Sequence, residues 1–328
     1  MRRRQVLILL TSAAPALMRA LGAGAADQRP TGLFRIAFLE STSVQSFRDA
    51  FEQGLRENGL VPGQTIAIDY RTASGSAQRF DVLASEVVST NIDLIVAPST
   101  TAALAAKRAT AKIPIVIVLA GDPVGSGLVA SLAHPDANVT GTTSQGVDFA
   151  TKHLGLLSEA VPDARRIAVL TVPGNPPNDR GLEQIQKAAA ARGLVIVPSA
   201  WLAANELDAA FARITADKAQ ALVVFDAPPT FENRERIIRL AAEHRLPAIY
   251  QQKLYVQAGG LMSYGPDVMD LARRSAGYVA RLLRGVRPAD LPVEQPTKFE
   301  LIINLKTAKA LDLTISQSLL LPADEVIQ

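Results

Sequence analysis

Apolar positions along the chain fall into two alternating rhythms from residue 34 onward. Phe34 to Leu39 is a short apolar run broken only by Arg35, as expected of a strand covered on both faces. Val44, Phe47, Phe51 and Leu55 then recur at helical spacing on one face, and Asn58-Gly59 supplies a stop. Thr65 to Tyr70 alternates as a strand, Phe80, Leu83 and Val87 mark a helix, and Ile92 to Ala97 reads as a buried strand ending at Pro98. A helix over Thr101 to Ala109 and a strand over Pro114 to Leu119 complete the series. Strands that alternate strictly with helices predict a parallel sheet covered on both faces.

The same order then recurs. Arg166-Ile-Ala-Val-Leu170 echoes Arg35-Ile-Ala-Phe-Leu39, and Arg192-Gly193-Leu194 echoes Asn58-Gly59-Leu60. Ala221 to Phe225 followed by Ala227-Pro228 echoes Leu94 to Val96 followed by Ala97-Pro98. His244-Arg-Leu-Pro247 echoes Ala111-Lys-Ile-Pro114. Four matched landmarks in one order predict two similar α/β lobes, since repetition at this length means duplicated domains rather than a solenoid. Beyond the second series come a strand over Leu261 to Tyr264 and a long helix after Pro266 with Val268, Leu271, Ser275, Val279 and Leu282 inward. Pro288, Pro292 and Pro296 mark an extended segment, followed by a strand over Phe299 to Asn304 and a helix from Lys306 to Leu311. These extra elements suit a chain that crosses between lobes more than once, which makes a hinge and a cleft.

Length agrees with this division: 328 residues suit two domains of roughly 150 each. Hydrophobic residues make up 48% of the chain, enough to fill two interiors. A formal net charge of +3, with no long basic block beyond the N-terminus, argues against a nucleic-acid partner. With no cysteine, disulfides, thiolate metal sites, a cysteine nucleophile and lipidation on an N-terminal cysteine are all excluded. Arg2, Arg3 and Arg4, an apolar stretch from Val6, and the small residues Ala23-Gly24-Ala25 form an export signal in the expected order. The alternatives are an amphipathic first helix and, for an exported chain, either the general secretory or the twin-arginine route. No later segment has the roughly 18 uninterrupted apolar residues needed to span a bilayer.

In an open parallel sheet, ligands bind beyond the carboxyl ends of the strands. The loops to examine are therefore Glu40 to Gln45, Pro98 to Thr101, Ala120 to Gly125, Thr171 to Asn178, Asp226 to Thr230, Tyr250 to Gln252 and Tyr264 to Asp267. Their hydroxyls, amides, carboxylates and phenol rings suit a small polar or zwitterionic ligand with an apolar part. Ser99, Thr100 and Thr101 follow a strand and open a helix, so they either hold a carboxylate or simply cap that helix. Asp122 and Asp226 either pair with an amine or stabilise a turn. Tyr250 and Tyr264 either stack on a ligand or sit half-buried in the core.

Gly121, Gly125 and Gly127 do not form a nucleotide phosphate loop, because no Lys-Ser or Lys-Thr follows. His134, His153 and His244 lack metal-ligand spacing. There is no Gly-x-Ser-x-Gly elbow, and no carboxylate spacing singles out an acid/base pair. The chain therefore reads as a binding protein needing neither cofactor nor metal, rather than an enzyme.

The run Gly121-Asp-Pro-Val-Gly-Ser-Gly-Leu-Val129 followed by Pro135-Asp-Ala-Asn-Val-Thr-Gly141 resembles the middle signature of the tryptophan/aromatic-type ABC transporter substrate-binding family. The tail carries the likeness further, through Tyr264-Gly-Pro-Asp267, Leu291-Pro-Val-Glu-Gln-Pro296 and Phe299-Glu-Leu-Ile-Ile-Asn-Leu-Lys306. The resemblance implies a type I periplasmic binding protein fold: two Rossmann-like lobes with parallel sheets, joined by a multi-strand hinge. On that plan residues 1–26 form a signal peptide, 31–143 with 262–297 the N-terminal lobe, and 144–261 with 298–328 the C-terminal lobe. It also implies a periplasmic monomer, not lipid-anchored, that hands an amino acid or aromatic acid to an ABC permease served by a separate ATPase subunit. The alternative is a periplasmic sensor for a signalling receptor. Carried over by position, the ligand residues are Ser41, Thr42, Ser99, Thr100, Asp122, Asn175, Asp226, Tyr250 and Tyr264.

Overall fold

The computed structural model describes residues 32–74 and 76–328, so the export signal expected over 1–26 lies outside the described residues. The first half runs β1 (Phe34–Glu40), α1 (Gln45–Glu57), β2 (Ile66–Thr72), α2 (Ala77–Val88), β3 (Leu94–Ala97), α3 (Thr100–Ala109), β4 (Ile115–Ala120) and β5 (Val139–Thr143). The second begins α4 (Phe149–Ala160), β6 (Arg166–Thr171), α5 (Pro176–Ala190), β7 (Val195–Ala200), α6 (Leu207–Ala216) and β8 (Ala221–Val224). It continues α7 (Pro228–Glu232), α8 (Arg234–Glu243), β9 (Ala248–Tyr250), α9 (Lys253–Gln257) and β10 (Met262–Pro266). The chain then passes through α10 (Val268–Leu283), β11 (Phe299–Asn304), α11 (Leu305–Ala310), α12 (Gln317–Leu320) and β12 (Glu325–Ile327).

The duplication inferred from four sequence landmarks is a duplication of topology. One sheet has the order β2-β1-β3-β4-β5, and the other contains β7-β6-β8-β9-β10 extended by β11 and β12. The central strands hold equivalent registers: Ile36 faces Ile68 and Leu94, while Ile167 faces Ile196 and Ala221. Gly59 (φ 79°) and Gly193 (φ 66°) end their helices alike, with the next residue's N–H reaching back five positions, Leu60 to Leu55 and Leu194 to Ala189. Only a residue tolerant of the left-handed region closes a helix this way cheaply, so the repeated glycine marks a repeated turn.

Alternation along the strands divides each core in two. Ile36, Phe38, Leu94 and Val96 face α1 and α10, packing on Phe51, Leu55, Ala276 and Val279. Ala37, Leu39, Ile95 and Ala97 face α2 and α3, packing on Phe80, Leu83, Ala102 and Ala106. Each large side chain so buried contributes about 1.5–3 kcal/mol, and truncating Phe51 to Ala would cost about 3–5 kcal/mol. The second sheet is covered likewise, by α4 and α5 on one face and α6 and α8 on the other.

Strand β5 was not expected from periodicity, because Val-Thr-Gly-Thr-Thr has no apolar run. It is nevertheless buried, with two of its three hydroxyls on backbone carbonyls: Thr140 donates to the Leu291 carbonyl and Thr143 to the Ala120 carbonyl, both at 2.6 Å, while the Thr142 hydroxyl is buried without a partner. The chain crosses between the sheets three times, over 144–148, at Asp267, and over 295–298. Glu294 exchanges backbone hydrogen bonds with Gly141 and Thr143 beside β5, and Phe299 then pairs with Pro266 in the other sheet. One expected boundary shifts. Residues 262–297 were assigned to the N-terminal lobe, but Met262–Pro266 pairs with β9 and β11 in the larger sheet. The second copy needs a fifth strand where β5 stands in the first, so the crossing falls after Pro266.

Candidate functional site

A cavity of about 120 Å³ lies between the carboxyl ends of the two sets of strands. That is the size class that accepts one benzene-like ring. The first lobe lines it with Glu40 at the end of β1 and Ser41 after it, Phe47 from α1, and Ser99 and Thr100 at the start of α3. The second lobe adds Ala150 and His153 of α4, Asn175 and Pro177 at the start of α5, and Phe225, Asp226 and Phe231. Leu119 also lines it, in a left-handed conformation (φ 59°) at the register shift between β4 and β5. A non-glycine residue there stores strain, which concentrates at functional sites.

Two carboxylates reach the wall, in opposite electrostatic circumstances. Glu40 is 4% exposed and already neutralised: Arg48 grips both oxygens, and the Thr72 hydroxyl donates at 3.0 Å. Arg48 is itself held 4.1 Å above the Tyr70 ring. Among the described residues, Asp226 has no cationic partner. One oxygen accepts from the Gln252 amide at 2.8 Å, and the other is buried with no hydrogen-bond partner. Burial pushes its pKa up from 3.8 to about 6, against the stabilising Gln252 contact. His153 is 2% exposed and lies 2.6 Å, through Nε2, from the Tyr264 carbonyl. A carbonyl only accepts, so Nε2 carries the proton and the unpartnered Nδ1 is the bare acceptor. Burial lowers the His153 pKa to about 4, which keeps the ring neutral at pH 7.

Helix starts add an asymmetry between the lobes. Helix α3 opens on Ser99, whose hydroxyl accepts from Ala102 N–H at 3.1 Å, and its first residues, Thr100 and Thr101, carry N–H groups. Helices α5 and α7 both open on Pro-Pro, Pro176-Pro177 and Pro228-Pro229, so their first two positions have no N–H to offer. Of these three helices only α3 offers N–H groups at its first two positions, while the under-partnered carboxylate sits in the second lobe.

Six of the nine residues expected at the site line the cavity: Ser41, Thr42, Ser99, Thr100, Asn175 and Asp226. Three do not. Tyr250 is 1% exposed and stacks on Tyr255 with ring centroids 4.8 Å apart, inside the second core. Tyr264 stacks on Phe299 and lies beneath Lys152, with only its carbonyl engaged by His153. Asp122 spends one oxygen on the Gly125 N–H (2.8 Å) and the other on Arg180 (2.7 Å). Residues at the cavity that were not singled out include Phe47, Phe231, His153, Gln251 and Gln252. The strand-end rule covers the two glutamines, but no periodicity separates a phenylalanine facing the cleft from one facing the core. Among the described residues, no group of three or more acidic, histidine or cysteine side chains could hold a metal ion. No described helix is long and apolar enough to cross a membrane.

The two lobes touch across the cleft. Ser41 donates to the Pro228 carbonyl at 3.3 Å, Asn175 to the Thr101 hydroxyl at 3.3 Å, and Arg180 pairs with Asp122. The arrangement is therefore a closed one.

The family model for ABC transporter substrate binding proteins matches residues 35–327. A tyrosine-binding protein of Clostridioides difficile (strain R20291) is 29% identical over 276 residues, covering 84% of this chain and 79% of its own. The structure of an ABC domain in complex with L-Trp from Streptococcus pneumonia superposes with a TM-score of 0.82 at 25% identity, over 90% of this chain and 100% of its own. The ligand-free, open structure of a substrate binding protein with adhesive properties from Clostridium difficile gives 0.62 at 26% identity over the same shares. At nearly equal identity, the chain follows the ligand complex more closely than the open form, as the contacts across its cleft require.

Proposed function

Because this chain belongs to the ABC transporter substrate-binding protein family, we propose that it captures an aromatic amino acid between its lobes, as the free zwitterion, and delivers it to a membrane permease. Members of this family bind substrates and are not enzymes. The fold is the type I periplasmic binding protein arrangement of two parallel-sheet lobes. The observation that carries the ligand reading is Asp226, a cleft carboxylate with one buried oxygen unpartnered and, among the described residues, no cation beside it. An ammonium group satisfies both deficits at once. The carboxylate of the same ligand then belongs on the first lobe, at the start of α3 with Ser99 and Thr100, whose first N–H groups α5 and α7 cannot match because they open on proline. Phe47, Phe225 and Phe231 supply an apolar wall for the ring. The tyrosine-binding relative and the L-Trp complex support this choice of ligand.

A ligand held by one charge on each lobe favours the closed state through its differential affinity for it. The closed face then docks on the permease, and a separate ATPase subunit powers release and uptake. The export signal expected from the sequence over residues 1–26 supports a periplasmic location for the mature chain. A thermal-shift series tests the ligand reading with L-tyrosine, L-tryptophan, 4-hydroxyphenylacetate (no amine) and tyramine (no carboxylate). A true ligand at 100 times its Kd stabilises by about 2.7 kcal/mol. The amino acids should shift the melting temperature and the two truncated analogues should not. Stabilisation by 4-hydroxyphenylacetate equal to that by L-tyrosine would rule out the role given to Asp226.

A further inference from the structure

The glycine-rich run Gly121-Asp-Pro-Val-Gly-Ser-Gly127 contributes only Gly121 to the cavity wall, and no helix opens on it. Its internal bonding is complete. Asp122 Oδ1 accepts from Gly125 N–H, the Ser126 hydroxyl donates to the Asp122 carbonyl at 2.6 Å, and Lys107 Nζ holds the Gly127 carbonyl at 2.6 Å and the Leu128 carbonyl at 3.0 Å. The loop is thus a rigid platform tied to α3. What it presents outward is the second lobe's landing place. Pro177 sits on Gly121 and the Arg180 guanidinium lies across Gly125 to reach Asp122 Oδ2.

Neither glycine is required by its own backbone. Gly127 has a positive φ of 73°, whereas Gly121 and Gly125 do not adopt the left-handed region. They are required by what approaches them. A Cβ on Gly121 would stand 2.9 Å from both Cβ and Cγ of the Pro177 ring, and a Cβ on Gly125 would overlap Arg180 Nη1. We propose that Gly121, Asp122 and Gly125 with Pro177 and Arg180 form a closure catch, a contact made only when the lobes meet, that sets how long a ligand is retained without touching it. The two bare glycines let the opposing lobe settle fully, and the ion pair adds a salt-sensitive hold at the rim. The side chain of Arg180 is 48% exposed and that of Asp122 19%, so the pair is screened and modest in strength.

The test uses the whole chain and rests on the proposed function only for its choice of ligand. Release of L-tyrosine or L-tryptophan is followed by stopped flow in wild type, Arg180→Ala, Gly125→Ala, Gly121→Ala and the Gly125→Ala/Arg180→Ala double variant. Arg180→Ala should speed release by roughly 1.5- to 5-fold, the range of a partly exposed ion pair, and abolish its acceleration by salt. Gly125→Ala should do the same alone and add little once Arg180 is gone, because the other group its Cβ would meet, Asp122 Oδ2, is then a released carboxylate end that can turn aside. Gly121→Ala meets a rigid ring instead and should speed release by roughly 10-fold or more, whatever stands at position 180. A second measurement needs no ligand. Cysteines placed at Ser41 and Pro228, in a chain that otherwise has none, report lobe contact through their rate of disulfide formation, which should fall in the Gly121→Ala and Arg180→Ala backgrounds. Unchanged release and trapping in Arg180→Ala, or a Gly125→Ala effect that persists undiminished without Arg180, would overturn the catch. Failure of both amino acids to bind would remove the ligand assignment alone and leave the trapping rates to decide.

Discussion

Replacing Asp226 by Asn should weaken ligand binding while making the ligand-free protein more stable. Asn preserves shape and leaves an acceptor for the Gln252 amide, so the change isolates the charge. A hydrogen bond to a charged partner contributes about 1.5–3 kcal/mol, so affinity for L-tyrosine should fall about 10- to 150-fold. The pKa of about 6 sets the pH profile of the wild type. The carboxyl is about nine-tenths ionised at pH 7 and about one-tenth at pH 5, so binding should weaken about tenfold between those values and stay flat in the variant. Stability moves the other way. Holding the carboxyl at about 6 instead of 3.8 means that the folded state disfavours the charge by on the order of 3 kcal/mol. That penalty is absent below pH 3.8, grows between 3.8 and 6, and is complete above 6. The variant should therefore gain up to about 3 kcal/mol at pH 7 and almost nothing at pH 4. Calorimetric titration with L-tyrosine from pH 5 to 7.5, beside urea unfolding of the ligand-free protein, reads both signs. Unchanged affinity, or a less stable variant at pH 7, would refute the reasoning.

Tyr250→Phe and Tyr264→Phe should leave affinity for L-tyrosine within roughly twofold by calorimetry, because neither phenol reaches the cavity. Arg48→Met should destabilise the ligand-free chain by about 3 kcal/mol in urea unfolding, since it strands the Glu40 carboxylate, 4% exposed, without its cation. His153→Gln, which keeps an N–H for the Tyr264 carbonyl, should remove an acid-side loss of stability. A histidine lowered from 6.5 to about 4 is neutral when folded and protonated when unfolded across that window, so its contribution is lost as pH falls, by about 3 kcal/mol in all. This trend opposes that of Asp226, so unfolding at pH 4.5 and 7 should reveal it most plainly as the difference between wild type and His153→Gln.

The architecture was legible because its signals are local and occur twice. Runs such as Ile-Ala-Phe-Leu and Ile-Ala-Val-Leu have no stable place outside a doubly covered sheet, and Asn58-Gly59 and Arg192-Gly193 each end a helix by a backbone rule that needs no tertiary information. Strand β5 escaped notice for the converse reason. Two of its three buried threonines place their hydroxyls on the Leu291 and Ala120 carbonyls, and nothing within five residues of sequence announces those partners. The position of Met262–Pro266 was missed similarly: its own pattern says strand, but which sheet it joins depends on the pairing with Ile249 and Ile303.

For the site, the rule that ligands bind at strand ends located the loops but could not assign the side chains within them. A loop residue of a two-lobed protein has three employers: its own turn, the opposing lobe and the ligand. Composition does not distinguish them. Asp122 and Asp226 looked alike in sequence, each an acidic residue just beyond a strand. One finds a backbone N–H three residues on and an arginine 58 residues away, which exhausts its oxygens. The other finds a single amide and is left with a buried oxygen unmatched. A carboxylate buried without sufficient partners costs stability, and its place in a cleft supports the proposal of a cation that arrives from outside. The inference to function therefore rests on which polar groups the folded protein leaves unsatisfied, a property of the closed chain as a whole and of no segment taken alone.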